Sequence, residues 1–247
     1  MIIITTTPLN FKAKRVIRIV HPKDEKNPIV AVEAQHINGS TTLVKIGQTI
    51  IDDNIVNNTD VIVLHSCNET LLKDYLRRLQ SWKDKLTTFK DSNKKYLVVY
   101  GNTMSIIADK IFYVPKDDNV IINQMQKSPT IDVTTEGLGL TKFWCTSIIN
   151  IKKLGDNFKR NLKYLSKSRR IFLLESGTVI DNTGKVTYGN LYQMLDGELI
   201  TVKELPKPET DDDVETIHDR KIPPIRAIYA DEETVSETPD NTEVKET

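Results

Sequence analysis

Cys67 comes nearest, by type and place, to a residue that could carry a reaction. It stands between the apolar run Val61, Ile62, Val63, Leu64 and a helical pattern that begins at Leu72. Backbone N–H groups and a helix dipole at such a junction stabilise a thiolate, which is the reactive form of cysteine. His65 is two residues away and shares a face with Cys67 only if the strand runs on that far. No glycine-rich loop surrounds the thiol, and position 73 is Lys where a phosphatase-type Cys–Arg spacing would need Arg. A buried structural thiol is the favoured reading.

The other candidates for chemistry are weaker. His21, His36, His65 and His218 show no metal-ligand spacing, and none lies three to five residues from another histidine or a cysteine. Asp52-Asp53 and Asp117-Asp118 are paired carboxylates beside asparagine, where turn chemistry explains them. Gly137-Leu138-Gly139 lacks the third glycine and the preceding strand of a dinucleotide loop, and no phosphate loop or nucleophile elbow is present. The sequence therefore predicts no catalytic residue, no metal and no cofactor.

The strongest local signal is electrostatic. Lys152, Lys153, Lys159, Arg160, Lys163, Lys167, Arg169 and Arg170 are opposed only by Asp156, with Phe158 and Tyr164 among them. A solvated helix face accounts for this cluster. The same face would also attract an acidic segment of protein or, as a secondary reading, a phosphate backbone.

The elements that must position these residues read as mixed. Residues 2–6, 14–20, 29–36 and 42–51 are β-branched runs separated by turn signals, which predicts a meander or small barrel-like sheet. Arg15, Arg18, Glu33 and Lys45 interleave with apolar neighbours, as half-exposed strands would. Leu72, Tyr75, Leu79, Trp82, Leu86 and Phe89 recur at spacings of three and four, an amphipathic helix face that Asn68 can cap. Flanked by the apolar runs 61–64 and 96–100, it makes a strand-helix-strand crossover with parallel strands. Beyond it, residues 171–174, 178–180, 186–188 and 199–202 read as strands, with a hairpin turn at 181–185. The fold class expected is α+β: a β-rich body, a strand-helix-strand unit and an extended acidic arm.

Charge divides the chain. Its 247 residues carry 34 basic and 34 acidic side chains, but residues 206–247 hold 13 acidic against 5 basic. That leaves residues 1–205 with 29 basic and 21 acidic, so a body of net +8 precedes an arm of net −8. The break falls at Pro206-Lys207-Pro208, and the arm is too polar to offset the entropy of ordering itself, so it reads as disordered in isolation. A lesser boundary is expected near residues 52–60. Within the arm, Ile222, Pro223, Pro224, Ile225, Ile228 and Tyr229 form an apolar island suited to a groove or a sheet edge.

No apolar run is long enough to span a membrane and no secretory signal opens the chain, so neither membrane nor secretion is expected. The missing active site, the charge split and the island together suggest a non-enzymatic assembly protein whose arm grips copies of itself and other proteins of the same complex. Abundant Ile, Asn, Lys and Thr with scarce Ala, as in AT-rich genomes, make a bacteriophage virion component, such as a connector, ring or tail protein, the concrete expectation, in the virion or host cytoplasm. Two alternatives stand beside it. One is a nucleic-acid-binding accessory protein using residues 152–170. The other is an enzyme with ligands at the carboxyl ends of the strands, near His65, Cys67 and Gly101.

Overall fold

In the computed structural model, four strands are apolar on both faces because the sheet they form is covered on both. The structure describes residues 1–111, 136–141, 143–154, 159, 162–163, 166, 170–181, 183–195, 198–205 and 226–227. Strand β1 (Ile2–Thr5), the second half of β2 (Leu9–Val20), β4 (Val61–Leu64) and β5 (Tyr96–Tyr100) are parallel neighbours in the order β2-β4-β5-β1. Continuous runs of Ile and Val are what such doubly covered parallel strands require. β3 (Ile37–Lys45) adds parallel to β2, while β8 (Val179–Ile180) and β9 (Val186–Tyr188) extend the β1 edge antiparallel.

Alternation along each strand sorts the side chains. Ile4, Ile17, Ile62, Leu64, Leu97 and Val99 face the main core, and Ile3, Val16, Val61, Val63, Val98 and Tyr100 face the other side. Helices α3 (Leu72–Leu79) and α4 (Lys83–Asp91) cover the first face, joined by a 3₁₀ turn at Gln80–Trp82. All six apolar positions of the helical pattern are buried there. Each such side chain contributes about 1.5–3 kcal/mol. Leu9, Phe11 and Ala13, from the first half of β2, pack over the second face.

A second sheet completes the body: β6 (Trp144–Ile148), β7 (Ile171–Glu175), β10 (Leu191–Leu195) and β11 (Glu198–Val202), in the order β11-β10-β7-β6. Cys145, Phe172 and Leu174 join the main core, while Trp144, Ile171, Leu173 and Met194 form a smaller cluster on the opposite side.

Mixed α/β content, β-rich sheets and a strand-helix-strand unit are thus present, and β4 and β5 are parallel across it. The opening sixty residues differ in detail from the expected meander, because they are parallel strands with helical crossovers. Residues 29–36, expected as a strand, are mostly helix α1 (Pro28–Gln35). Asn27 accepts a hydrogen bond from Ile29 N–H (3.0 Å) and Pro28 occupies the first helical turn, so capping outweighs the β-branched composition. Asp52 caps α2 (Asp53–Asn57) in the same way. The arm residues Ile222, Pro223, Pro224, Ile225, Ile228 and Tyr229 lie outside the described residues, as do Arg160, Lys167 and Arg169. Among the described residues no helix is long and apolar enough to cross a membrane.

Candidate functional site

Where parallel strands end together, their carboxyl ends open a crevice that helices cannot fill. Here β1, β4, β5 and β6 end around a cleft of about 990 Å³. Thr6, Thr7 and Pro8 continue from β1, Ser66 from β4, Gly101 and Asn102 from β5, and Ser147 and Ile148 belong to β6. Helix α1 adds Ile29, Val32 and Glu33 to the wall.

A chain of four side chains, Arg18, His65, Glu33 and Ser66, reaches the cleft at its last two members, which line the wall. His65 follows β4 on the face of Tyr100, and the two rings stack with centroids 5.8 Å apart and planes 6° from parallel. Arg18 of β2 donates from Nε to His65 Nε2 at 3.0 Å. A guanidinium has no acceptor, so His65 Nε2 carries no proton and Nδ1 carries it. Nδ1–H then donates to Glu33 Oε2 at 2.7 Å, a bond from a neutral ring to a carboxylate. Burial depresses the imidazole pKa below its ordinary 6.5 despite the Glu33 bond, in agreement with that tautomer.

Glu33 is 4% exposed and His65 is fully buried. Oε2 also accepts Ser66 N–H at 3.1 Å, and Ser66 Oγ donates a short hydrogen bond to Oε1. The carboxylate is therefore held by three donors, and the only one with a hydroxyl is half-buried in the cleft wall. Burial also works against the Arg18 charge, which Glu33 partly offsets. Around the array, Thr103 Oγ1 donates to His65 O (2.7 Å) and Ser147 Oγ to Asn102 Oδ1 (2.6 Å), tying the ends of β4, β5 and β6 to one another.

This arrangement sets the Ser66 hydroxyl, and not the cysteine, against the buried carboxylate. Cys67 is 3% exposed, and its thiol pKa is pushed far up, first by burial and then by Asp24. It is not a nucleophile as it stands. From sequence, Cys67 at this junction is weighed as a reactive cysteine and favoured as a buried structural thiol, while Ser66 is passed over because Glu33 and Arg18 look like half-exposed strand positions. Their meeting with His65 and Ser66 depends on α1 folding as a helix over the sheet.

The basic residues fall elsewhere. Lys152 and Lys153 end a 3₁₀ turn (Ile151–Lys153), where Lys153 reaches the cleft rim; Lys159, Lys163 and Arg170 are exposed. Among the described residues no group of three or more His, Cys, Asp or Glu is placed to hold a metal ion.

No family model and no curated protein matches the chain. Among solved structures it is similar to a Listeria monocytogenes EGD-e protein assigned as Peptidase E, with 13% identity, 82% of this chain and 97% of that one covered, and a TM-score of 0.48. It is also similar to a peptidase from an acI-B1 Actinobacterium, with 11% identity, 76% and 83% covered, and a TM-score of 0.44. Both are described as peptidases, and that finding overturns the expectation of a non-enzymatic bacteriophage structural protein. Neither likeness supports a connector, ring or tail protein or a virion location. At these identities and TM-scores, residue roles rest on the geometry of this chain alone.

Proposed function

We propose that the chain is a hydrolase of small acyl compounds, esters or short peptides, with Ser66 as nucleophile and Glu33 as general base. One observation carries the reading: the Ser66 hydroxyl, in the wall of a cleft at the carboxyl ends of parallel strands, donates to a buried carboxylate whose other oxygen is occupied by His65 and by Ser66 N–H. His65 is a positioning residue, because Nδ1 already bears a proton and Nε2 is taken by Arg18. In the reaction Ser66 Oγ bonds to the acyl carbon while its proton passes to Glu33 Oε1. Collapse of the tetrahedral intermediate expels the leaving group, which takes that proton. Water then repeats the sequence to release the acid and restore Ser66.

The test is hydrolysis of activated esters and dipeptides, together with labelling by a fluorophosphonate. Label on Ser66, with kcat/KM lowered at least about 10³-fold in Ser66→Ala and about 10²-fold or more in Glu33→Gln, is the expected result. Undiminished turnover in a folded Ser66→Ala chain, or label on another residue, overturns the reading.

A further inference from the structure

Arg18 is a charged residue in an apolar place. It alternates along β2 with Ile17 and Ile19 of the main core, so it lies on the sheet's other face with the buried Val16. Its register neighbours are Val63 of β4 and Leu43 of β3, and an apolar side chain would suit the position. Burial works against its charge, and among the described residues it makes no ion pair. Glu33 is the anion that offsets it most, yet the two meet only through the His65 ring, Arg18 Nε at 3.0 Å from one nitrogen and Glu33 Oε2 at 2.7 Å from the other. Arg18 does not line the cleft, whereas Glu33 and Ser66 do.

The order of cation, neutral ring, carboxylate and hydroxyl has a chemical consequence. His65 can gain a second proton only at Nε2, the nitrogen that Arg18 fills, and the gain would set two cations side by side. The other groups around the ring bring one further charge, on Glu33. Tyr100 stacks on its face with its hydroxyl accepting Leu9 N–H at 3.1 Å, and Thr103 Oγ1 donates to the backbone carbonyl. An imidazolium at position 65 would draw Glu33 into a charge-assisted pair and make the carboxylate a weaker acceptor for the Ser66 proton.

We propose that Arg18 is a positioning residue for the reaction: by donating to His65 Nε2 it locks the ring in the Nδ1–H form and leaves Glu33 paired with a neutral donor, able to take the Ser66 proton. Its effect on turnover rests on the hydrolase reading; its effect on the ring rests on the geometry alone.

The test uses variants of the full-length chain. Arg18→Met removes both the donor and the cation and keeps an unbranched side chain, while Arg18→Lys keeps both. In chains with nitrogen-15 histidine, the His65 ring is identified by the signals lost in His65→Gln. A bare Nε2 and a protonated Nδ1 are expected through the neutral range in the native chain and in Arg18→Lys, with the second proton taken up at higher pH in Arg18→Met. In ester hydrolysis, kcat of Arg18→Met is expected to fall at least about tenfold at about pH 6, with the loss closing toward about pH 8. KM should stay within about twofold, because Arg18 does not line the cleft, and Arg18→Lys should restore most of the rate. A folded Arg18→Met whose His65 titrates as in the native chain, or whose kcat falls equally at every pH, overturns the inference. If Arg18→Met does not fold, Arg18→Gln, which removes the charge alone, must still raise the pH at which His65 takes its second proton, and an unmoved titration overturns the inference there too. If no chain hydrolyses any ester, the reading of Ser66 fails while the ring signals still decide what Arg18 does to His65.

Discussion

Gly101 and Ser66 occupy one space: a Cβ on Gly101 would lie 2.2 Å from Ser66 Oγ. The turn after β5 can pass the serine after β4 only because position 101 has no side chain, and its φ of +50° is a conformation glycine adopts without strain.

Gly101→Ala therefore has two separable effects. The left-handed backbone costs about 1–2 kcal/mol in any L-residue. The collision also pushes Ser66 Oγ away from Glu33, and a misplaced nucleophile costs at least about tenfold in kcat/KM. Gly177→Ala is the control, because φ is +87° there but nothing lies within 4 Å of the added Cβ. Denaturant unfolding should show the backbone cost alone in Gly177→Ala and a larger loss in Gly101→Ala, with hydrolysis impaired only in Gly101→Ala. Equal rates in the two would mean that Ser66 is not held where the reaction needs it.

His65 makes stability depend on pH. Its folded pKa lies below the ordinary 6.5, first through burial. Between the two values the unfolded chain binds more protons, so the contribution is whole above about pH 6.5 and is lost as pH falls toward the folded pKa. The slope from this one group is at most about 1.4 kcal/mol per pH unit. Urea unfolding between pH 5 and 7.5 should show that decline, and His65→Gln should flatten it.

How much of this was legible in the sequence differs by element. The helix face from Leu72 to Phe89 repeats over five turns, so its burial and the parallel strands around it could be read directly. Asn27-Pro28 also carried the start signal of α1, but eight residues rich in Ile and Val outweighed it, and Glu33 was thereby placed on a strand. The site was hidden for the same reason. Arg18, Glu33, His65 and Ser66 have no motif spacing, and only the folding of α1 across the ends of β2 and β4 brings them together. What sequence did offer was the strand end at His65 and Cys67 as a place where ligands bind, an alternative reading that named the thiol there and not Ser66.

Both thiols should be silent in the folded protein. Cys67 and Cys145 are buried, and burial pushes each pKa well above that of a free thiol. An aromatic disulfide reagent at neutral pH should report no fast-reacting thiol in native protein and two after denaturation. A fast native reaction at Cys67 would restore the cysteine as a candidate nucleophile.

The last prediction concerns the ion pairs at the start of α3. His21 is 2% exposed, and its Nδ1 accepts Lys23 N–H at 3.2 Å, which leaves the proton on Nε2, donating to Asp74 Oδ2 at 2.9 Å. Asp74 also accepts a short bond from Arg77 and one from Arg78 Nε at 2.7 Å. Arg77 foremost, then His21 and Arg78, hold the Asp74 carboxyl well below the usual carboxylate range. The arginine pairs lie at the surface and are worth about 0.2–0.5 kcal/mol each, so Arg77→Ala should scarcely change stability. Asp74→Ala strands a buried N–H and should cost about 1–3 kcal/mol, whereas Asp74→Asn keeps an acceptor for His21 and should cost less. Because the folded pKa is depressed, the carboxylate's contribution is present above about pH 4 and disappears as pH falls further. Urea midpoints of the three variants at pH 7 and pH 3 decide the matter: equal losses for Asp74→Ala and Arg77→Ala at pH 7 would place the stabilisation in the surface charges rather than in the bond to His21.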